Sequence, residues 1–412
     1  MGPFLIVLGA AGPALGDDWP VFGHDNRRSC ISEERLPVPL STEWVFKAPY
    51  PPSHAWPDPQ PKPVENNLEL PRLRFDDAFQ VVAAGDAVFF GSSSDTKVYA
   101  LDAKTGTILW EFYTEGPVRL APTLWEEKLY VGSDDGCVYC LNADDGSLVW
   151  RFRAAPGPDK VLGNGRMISL WPVRTGITVD QGIAYCGAGI FPGEGLRLYA
   201  LDARKGTVLW RNDSYGQGGS ADITPQGYLL MSKDKIFMPC GRAMPVAFSR
   251  ADGRLLYHRN LNWRANGLFG GTYALLAGNM LYTGTEQIHT VNTADGGLVA
   301  SDAVRRLIVT PERVFTLSGE SAMSAELSKW PAIRTVRTAL HKTLRMRTGL
   351  EAQLAHVDRQ LATTGRAAAD TARRGRLMQF KAGIETQLTS TSARCNKLEQ
   401  EMATALETAA TW

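Results

Sequence analysis

The residues best suited to chemistry in this 412-residue chain are its six cysteines and one loop that carries arginine and tryptophan. Cys137 and Cys140 form a C-x-x-C pair, a spacing found in zinc and redox sites. The apolar residues around the pair predict a β-strand, in which residues three apart face opposite sides of the sheet. The pair therefore favours packing cysteines over a metal site or a disulfide. The other four cysteines are isolated along the chain.

The loop from 156 to 176 is the first candidate binding surface, because it is long, rich in glycine and carries Arg166, Trp171 and Arg174. Loops of this length commonly fold over something or bind something. An indole flanked by two guanidinium groups could hold a sugar, an anionic polymer or a partner chain. The alternative is that Trp171 anchors the loop on the protein while both arginines are solvated.

Charge and the N-terminal residues bear on location and partners. The chain has 44 Lys and Arg against 43 Asp and Glu, a net charge of +1, so we expect no specific nucleic-acid binding. Residues 1–16 are apolar and end in a small-x-small pattern, which predicts a cleaved signal peptide. No other stretch approaches the ~18 apolar residues of a membrane span. We therefore expect a periplasmic or secreted protein without a transmembrane span in the mature chain.

A repeat supplies the framework for these residues. The phrase YALDAKTGTILW at 99–110 returns as YCLNADDGSLVW at 139–150 and YALDARKGTVLW at 199–210, and weaker copies follow at 248–257 and 291–300. Each copy predicts a strand, a glycine turn and a second strand, with another strand pair upstream. Units of about 40 residues that each form a four-stranded antiparallel sheet predict a β-propeller. The fold class is mostly β, with five clear repeats and a partial sixth near Val314.

The motif A-x-D-x-x-T-G-x-x-x-W, present as Ala100, Asp102, Thr105, Gly106 and Trp110, resembles the tryptophan-docking motif of pyrroloquinoline-quinone-type propellers. The resemblance covers about residues 17–326. It implies that the tryptophan ending each outer strand packs on the glycine turn of a neighbouring blade. Such burial removes on the order of 150–250 Å² from water and would hold adjacent blades in register.

The same resemblance implies a quinone-dependent dehydrogenase of alcohols or sugars as one function, with pyrroloquinoline quinone (PQQ) and calcium as cofactors. Family members that oxidise alcohols often carry adjacent cysteines and a set of carboxylate and amide ligands for calcium. This chain has no adjacent cysteines, and we assign its repeated aspartates to turn chemistry. These are Asp102, Asp144, Asp145, Asp202 and Asp252. We therefore expect no cofactor and no catalysis.

From Ser328 onward the pattern becomes helical, and two apolar stripes predict an antiparallel hairpin or short coiled coil over 327–412. Thr343 and Arg347 interrupt the first stripe. Residues 329–412 carry 14 Lys and Arg against 7 Asp and Glu, and the densest cluster, Arg373, Arg374 and Arg376, falls at the predicted tip. The tip could contact an acidic partner or polymer, although a basic excess is more often a solvated face.

These patterns lead to one functional hypothesis and two alternatives. We expect a signal peptide (1–16), a quinoprotein-like β-propeller (17–326) and a basic helical hairpin (327–412), acting together as a non-catalytic protein- or polysaccharide-binding scaffold. The alternatives are a quinone-dependent dehydrogenase and an outer-membrane assembly scaffold. The repeats also leave two architectures open: a propeller truncated within a helical insertion, which we favour, or a smaller closed ring followed by the hairpin.

Overall fold

The computed structural model describes most of the chain with several gaps. The described ranges are 17–35, 39–57, 75–215, 223–241, 243–259, 271–285, 287–302, 304–318, 321–363 and 368–407. The predicted signal peptide at 1–16 therefore lies outside the described residues.

Five four-stranded sheets with sequential strand order form the repeats, so the predicted mostly-β fold is confirmed. We call them blades 1 to 5. Blade 1 consists of β1 (Val81–Ala84), β2 (Ala87–Gly91), β3 (Lys97–Asp102) and β4 (Ile108–Tyr113). Blade 2 consists of β5 (Thr123–Trp125), β6 (Lys128–Gly132), β7 (Cys137–Asn142) and β8 (Leu148–Arg153).

The next insertion contains a hairpin and one strand that pairs across blades. The hairpin is formed by β9 (Lys160–Leu162) and β10 (Met167–Ser169), and β11 is Thr175–Gly176. Blade 3 consists of β12 (Thr178–Asp180), β13 (Ile183–Ala188), β14 (Leu196–Asp202) and β15 (Val208–Tyr215). The short strand β16 (Gly227–Tyr228) then pairs in parallel with β11.

Two further four-stranded blades and a smaller sheet follow. Blade 4 consists of β17 (Leu230–Met231), β18 (Lys235–Cys240), β19 (Ala243–Ser249) and β20 (Leu255–Tyr257). Blade 5 consists of β21 (Tyr273–Ala277), β22 (Met280–Gly284), β23 (Ile288–Asn292) and β24 (Leu298–Asp302). The sixth sheet has three strands, β25 (Arg306–Val309), β26 (Arg313–Ser318) and β27 (Ser321–Glu326), in agreement with the partial sixth repeat.

The repeated phrase folds as predicted from its turn residues. In blade 1 the Asp102 carboxylate accepts hydrogen bonds from the backbone amides of Lys104 and Thr105 at 3.0 and 2.7 Å, and Gly106 has φ of +70°. A register shift after Ala100 pairs Leu101 with Ile108 and Ala100 with Trp110. The same shift recurs in blades 2, 3 and 4. This bulge turns the ring of Trp110 toward the next blade, while Ile108 and Leu109 stay exposed.

Ring docking on glycine turns is confirmed in five places within the first compact unit of the chain. A Cβ built on any of these turn glycines would lie 2.4–2.7 Å from the docked ring. The docked pairs are Trp44 on Gly106, Trp110 on Gly146, Trp150 on Gly206, Trp210 on Gly253 and Tyr257 on Gly296. Each ring also donates a hydrogen bond of 2.8–3.1 Å to a carbonyl of the same turn. Tyr257 thus takes the place that a tryptophan has in the other four docked pairs.

The C-terminal residues form two long helices, α1 (Trp330–Thr363) and α2 (Ala368–Glu407). Their contact buries Leu350, Val357 and Ile384. Phe380, an apolar residue of α2, is 58% exposed and lies outside this contact. Among the described residues, no helix is long and apolar enough to cross a membrane.

The chain divides into two compact units. The first comprises residues 1–285 and 291–297, and the second comprises 286–290 and 298–412. The predicted boundary between 326 and 327 follows β27 directly, whereas the division into units falls within blade 5. The domain limits proposed from the sequence remain a prediction.

Candidate functional site

Residues 17–31, which we call the N-terminal segment, contact the first strands of blades 1 to 5. Trp19 bridges to Ala83 of β1, and the Pro20 carbonyl accepts a hydrogen bond of 2.7 Å from Leu124 of β5. Asn26 accepts from Met231 of β17 through its carbonyl and donates through its amide side chain to Val179 of β12, each at 2.9 Å. The Arg27 carbonyl accepts from Leu276 of β21 at 2.8 Å. The segment thus connects five blades on their inner strands.

Arg28 holds the N-terminal segment in place through its buried side chain. Its buried guanidinium donates to the carbonyls of Leu229 and Phe22 at 3.0 Å and to the hydroxyl of Thr178 at 2.8 Å. The guanidinium carbon of Arg28 also lies 5.2 Å from the ring centre of Tyr228. Burial lowers the pKa of Arg28 to about 10, so the group stays charged at neutral pH. Its hydrogen bonds offset the cost of burying that charge.

A second buried polar cluster, the ion network, consists of Asp76, Arg119, Asp134 and Arg174. Arg119 donates to Asp134 and Asp76 at 2.6 Å each, and Arg174 donates to both carboxylate oxygens of Asp134 at 2.8 and 2.9 Å. Burial opposes the ionisation of Asp134, yet the two guanidinium groups hold its pKa below the usual value. Two acids and two arginines make the network neutral overall.

The ion network is covered by the chain itself. Trp56 lies over Arg174, with the guanidinium carbon 5.3 Å from the ring centre, and its indole donates to Gln226 at 3.1 Å. The backbone of Ala55 donates to Asp76 at 2.7 Å. One nitrogen of Arg174, Nη1, is buried without a hydrogen-bond partner among the described residues.

The candidate loop residues lie in three different environments. Arg166 is half-buried at the turn of the β9–β10 hairpin, where its carbonyl accepts from Gly163. Trp171 is half-buried, donates to the Glu194 carbonyl at 2.6 Å and packs on the core between blades 2 and 3. Arg174 is 1% exposed in the ion network, which corrects the expectation of an accessible or solvated arginine. The three residues therefore do not present one joint contact surface.

The sequence pattern missed Arg28, Asp76, Arg119 and Asp134. A signal was present for two arginines, because Arg119 and Arg174 each interrupt an otherwise apolar run. Charged residues at such positions are rarely buried without a partner. Their partners lie 15 and 40 residues away, so the pairing itself depends on the fold.

A cleft of about 800 Å³ lies between blades 1 and 2 in the first unit, and we call it the blade 1–2 cleft. Its apolar lining comprises Phe89, Leu109, Leu124 and Trp125. Its acidic lining comprises Asp18, Asp86, Asp102, Glu126, Glu127 and Asp144. Among the described residues, two cations pair with these carboxylates, with Lys104 2.9 Å from Asp86 and Arg204 2.6 Å from Glu126. The cleft therefore combines apolar surface with a net negative charge.

Two carboxylates of this cleft are available for a ligand. Glu127 and Asp144 make no side-chain hydrogen bond or ion pair with the described residues. Asp144 was assigned to turn chemistry from the sequence, but its carboxylate lines the cleft and makes no such bond. Glu126 and Glu127 also have φ of +45° and +59°, where glycine or asparagine is usual in a two-residue hairpin turn. The chain tolerates backbone strain to place two acids here.

The hairpin arginines lie inside a helix. Arg373, Arg374 and Arg376 are exposed in the second and third turns of α2, which begins at Ala368. The connection between the helices is at 364–367, outside the described residues, so the predicted tip position is corrected to the side of α2. The three guanidinium groups remain accessible.

Among the described residues, no group of three or more His, Cys, Asp and Glu side chains is placed to hold a metal ion. Asp76 and Asp134, the carboxylates of the ion network, are both bound by arginine. Cys137 and Cys140 are buried in different clusters on opposite faces of β7, as the strand pattern predicts.

Comparison with known proteins agrees with this architecture. The family described as outer membrane protein assembly factor BamB matches residues 69–171 and 170–267. No curated protein matches the chain. The crystal structure of BamB from Moraxella catarrhalis is 19% identical, with a TM-score of 0.46, and the match covers 62% of this chain and 73% of that one.

Two dehydrogenases share the fold at low identity. The quinohemoprotein alcohol dehydrogenase from Comamonas testosteroni is 17% identical with a TM-score of 0.52, over 72% of this chain and 50% of that one. A europium-containing methanol dehydrogenase is 12% identical with a TM-score of 0.50, over 76% and 62%. This chain thus spans half to three-fifths of the length of the two enzymes.

Repeated four-stranded antiparallel blades joined by ring docking define a β-propeller protein. The BamB-like repeats and the shared fold of the quinoprotein enzymes make the class more specific. The chain is a β-propeller protein with PQQ-like repeats over residues 69–267.

Proposed function

We propose that this protein is a non-catalytic, extracytoplasmic scaffold that binds a protein partner in the blade 1–2 cleft. The observation that carries the proposal is the cleft of about 800 Å³ with its apolar lining and its unpaired Glu127 and Asp144. Apolar surface supplies affinity, and a net charge selects the sign of the ligand. The complementary ligand is a protein segment in which Lys or Arg residues flank apolar side chains.

The contacts on the first strands of the blades support a structural role for this part of the first unit. The N-terminal segment lies on these strands and is held there by Arg28, and Trp56 lies over the ion network. A quinone-dependent dehydrogenase would need room for a planar cofactor and uncommitted carboxylates beside it. The described carboxylates of the ion network are committed to arginine.

The charge of the cleft also bears on the kind of partner. Six carboxylates against two cations repel an anionic polysaccharide, whereas a cationic protein segment gains from the same field. A neutral polysaccharide is the alternative ligand that this charge does not repel. It therefore serves as the competitor in the binding test. An outer-membrane assembly role, as in the name of the matched family, is one setting in which such a scaffold would act.

The proposal is tested by removing the two unpaired carboxylates. The double variant Glu127→Gln/Asp144→Asn should weaken binding of a peptide of alternating Lys and Leu roughly tenfold, since each exposed charge pair is worth up to about 1 kcal/mol. The matched control is Glu43→Gln/Asp159→Asn, which removes two exposed charges of the first unit outside the cleft. Fluorescence anisotropy measures both affinities. Equal weakening in the two variants, or displacement by a neutral polysaccharide alone, contradicts a protein-binding cleft.

Catalysis is tested separately. The purified protein is incubated with PQQ and calcium, and bound quinone and dye-linked alcohol oxidation are measured. We expect neither stoichiometric quinone nor turnover. Both together would establish the dehydrogenase alternative and overturn the non-catalytic assignment.

A further inference from the structure

The second unit contains a groove that the proposed function does not use. It lies between α1 and α2, has a volume of about 490 Å³ and is found at the point where Thr343 interrupts the apolar seam. Thr343 and Thr391 are its buried residues, and Ala339 and Met346 give it apolar surface. We call it the helix groove. It belongs to a different unit from the blade 1–2 cleft and stands independently of it.

The helix groove is lined by two cations and by no acidic residue. Lys342 of α1 and Arg394 of α2 both line it, and both are exposed. Neither makes an ion pair within the part of the chain that the structure describes. Other cations of the same helices do find partners, at 2.8 Å for Lys381 with Asp358 and 3.7 Å for Arg347 with Glu351. The groove therefore carries positive charge that no described carboxylate pairs with.

A hydroxyl group in the groove is also underused. Thr391 is 7% exposed, and within the described part of the chain its hydroxyl has only the thioether sulfur of Met346, at 4.0 Å, as a partner. Thioether sulfur is a weak acceptor, so this hydroxyl proton can be donated to a stronger one. Thr343, by contrast, donates to the Ala339 carbonyl at 2.7 Å. The groove thus offers an ammonium group, a guanidinium group and one buried hydroxyl donor.

We propose that the helix groove binds a phosphate group carried on an apolar body. Arginine and lysine are the usual partners of phosphate oxygens, and charge-assisted hydrogen bonds are about twice as strong as neutral ones. The groove is larger than a bare phosphate needs, and Ala339 and Met346 can cover an attached apolar part. The source is either a soluble phosphate ester or a phospholipid headgroup, since both present the same chemistry.

The test uses the full chain and three variants. Lys342→Gln/Arg394→Gln removes both groove cations, and Thr391→Val removes the hydroxyl without a change in charge. The matched control, Arg345→Gln/Lys397→Gln, removes one exposed cation from each helix outside the groove. The probes are inorganic phosphate and phenyl phosphate in calorimetry and phosphatidylglycerol vesicles in sedimentation. Circular dichroism verifies that each variant is folded.

We expect the wild type to bind phenyl phosphate or the vesicles more tightly than inorganic phosphate. The double groove variant should lose at least about tenfold in affinity and Thr391→Val about threefold, because each removes a donor to the phosphate. The control should bind like the wild type. Tighter binding of phenyl phosphate identifies a soluble ester, and binding of vesicles alone identifies a lipid headgroup. Equal losses in the control, or no saturable binding of any probe at low salt, overturn the proposal.

Discussion

At the scale of single residues, the docking glycines combine two constraints that can be separated. Gly146 has φ of +70°, and a Cβ there would lie 2.6 Å from the ring of Trp110. Gly165 has nearly the same φ, +73°, but a Cβ there would meet nothing within 4 Å. The pair therefore distinguishes the cost of the backbone conformation from the cost of displacing a docked ring.

We predict that Gly146→Ala destabilises the protein by roughly 3–5 kcal/mol and Gly165→Ala by about 1 kcal/mol. Both substitutions place an alanine in a left-handed backbone conformation, which is unfavourable for a residue with a Cβ. Only the first also displaces Trp110 from its turn. Urea unfolding followed by tryptophan fluorescence gives both free energies. Equal losses in the two variants would show that ring docking contributes nothing beyond the turn conformation.

Asp302 gives a prediction about pH in the second unit. Its carboxylate is 0% exposed, with Oδ1 accepting from Arg334 at 2.8 Å and Oδ2 lacking a hydrogen-bond partner among the described residues. Burial raises the pKa of Asp302 above its usual value, and the nearby Arg334 only partly opposes this. The native state therefore favours the protonated acid more than the unfolded state does.

The direction of the pH effect follows from that raised pKa. A carboxyl with a raised native pKa contributes stability below its unfolded pKa of about 4, and this contribution is lost as pH rises through the native pKa. We predict that the unfolding free energy of the wild type, minus that of Asp302→Asn, falls as pH rises above about 4. Urea unfolding followed at 222 nm measures it through the helices. Glu312→Gln, an exposed carboxyl in the same unit, is the control. A difference that grows with pH would show that the ion pair with Arg334 dominates.

At the scale of elements, the N-terminal segment makes the blades depend on one another. Its backbone and side chains contact the first strands of five blades, and Arg28 holds it with hydrogen bonds to Leu229, Phe22 and Thr178. The neighbouring Arg27 is exposed and pairs with Asp25 at 3.6 Å. The two adjacent arginines thus have the same chemistry and opposite burial.

We predict that Arg28→Met lowers the unfolding free energy by roughly 3–5 kcal/mol, because it removes the charged donor that links the Phe22 and Leu229 carbonyls and the Thr178 hydroxyl. Arg27→Met should change it by less than about 0.5 kcal/mol, as expected of a surface ion pair. Limited trypsin digestion should also cut the segment faster in the first variant. Comparable effects of the two substitutions would mean that the segment is not a structural link.

The same elements show what a sequence pattern can and cannot predict. The blade sheets, the glycine turns and the docking of Trp110, Trp150 and Trp210 follow from residues close together in the chain. The ion network does not, because Asp134 reaches Arg174 across 40 residues and only the assembled blades bring them together. Trp171 and Arg174 are three residues apart and still lie in different environments. Local chemistry predicts the elements, while the site depends on contacts between blades.

At the scale of the whole molecule, the cysteines report how cooperatively the blades hold together. Cys137, Cys140, Cys186 and Cys240 are buried in blades 2, 3 and 4, and Cys395 is buried in the second unit. Burial raises the pKa of Cys186 and Cys240 to about 12 and that of Cys140 to about 11. Only the thiolate reacts with alkylating agents, so these thiols are protected both by access and by protonation.

We predict that the four blade cysteines become reactive together in a urea series, because ring docking and the N-terminal segment link each blade to its neighbours. Pulsed alkylation followed by peptide mass spectrometry measures the urea midpoint of each thiol. The half-buried Cys30 should react at lower urea than the blade cysteines, and Cys395 reports the second unit by itself. If repeats were coupled only to adjacent repeats, their stability would be a sum of local terms, and unfolding could proceed in steps. A midpoint for Cys137 and Cys140 clearly below that of Cys186 and Cys240 would therefore show that the blades unfold one by one and that the N-terminal segment does not join them.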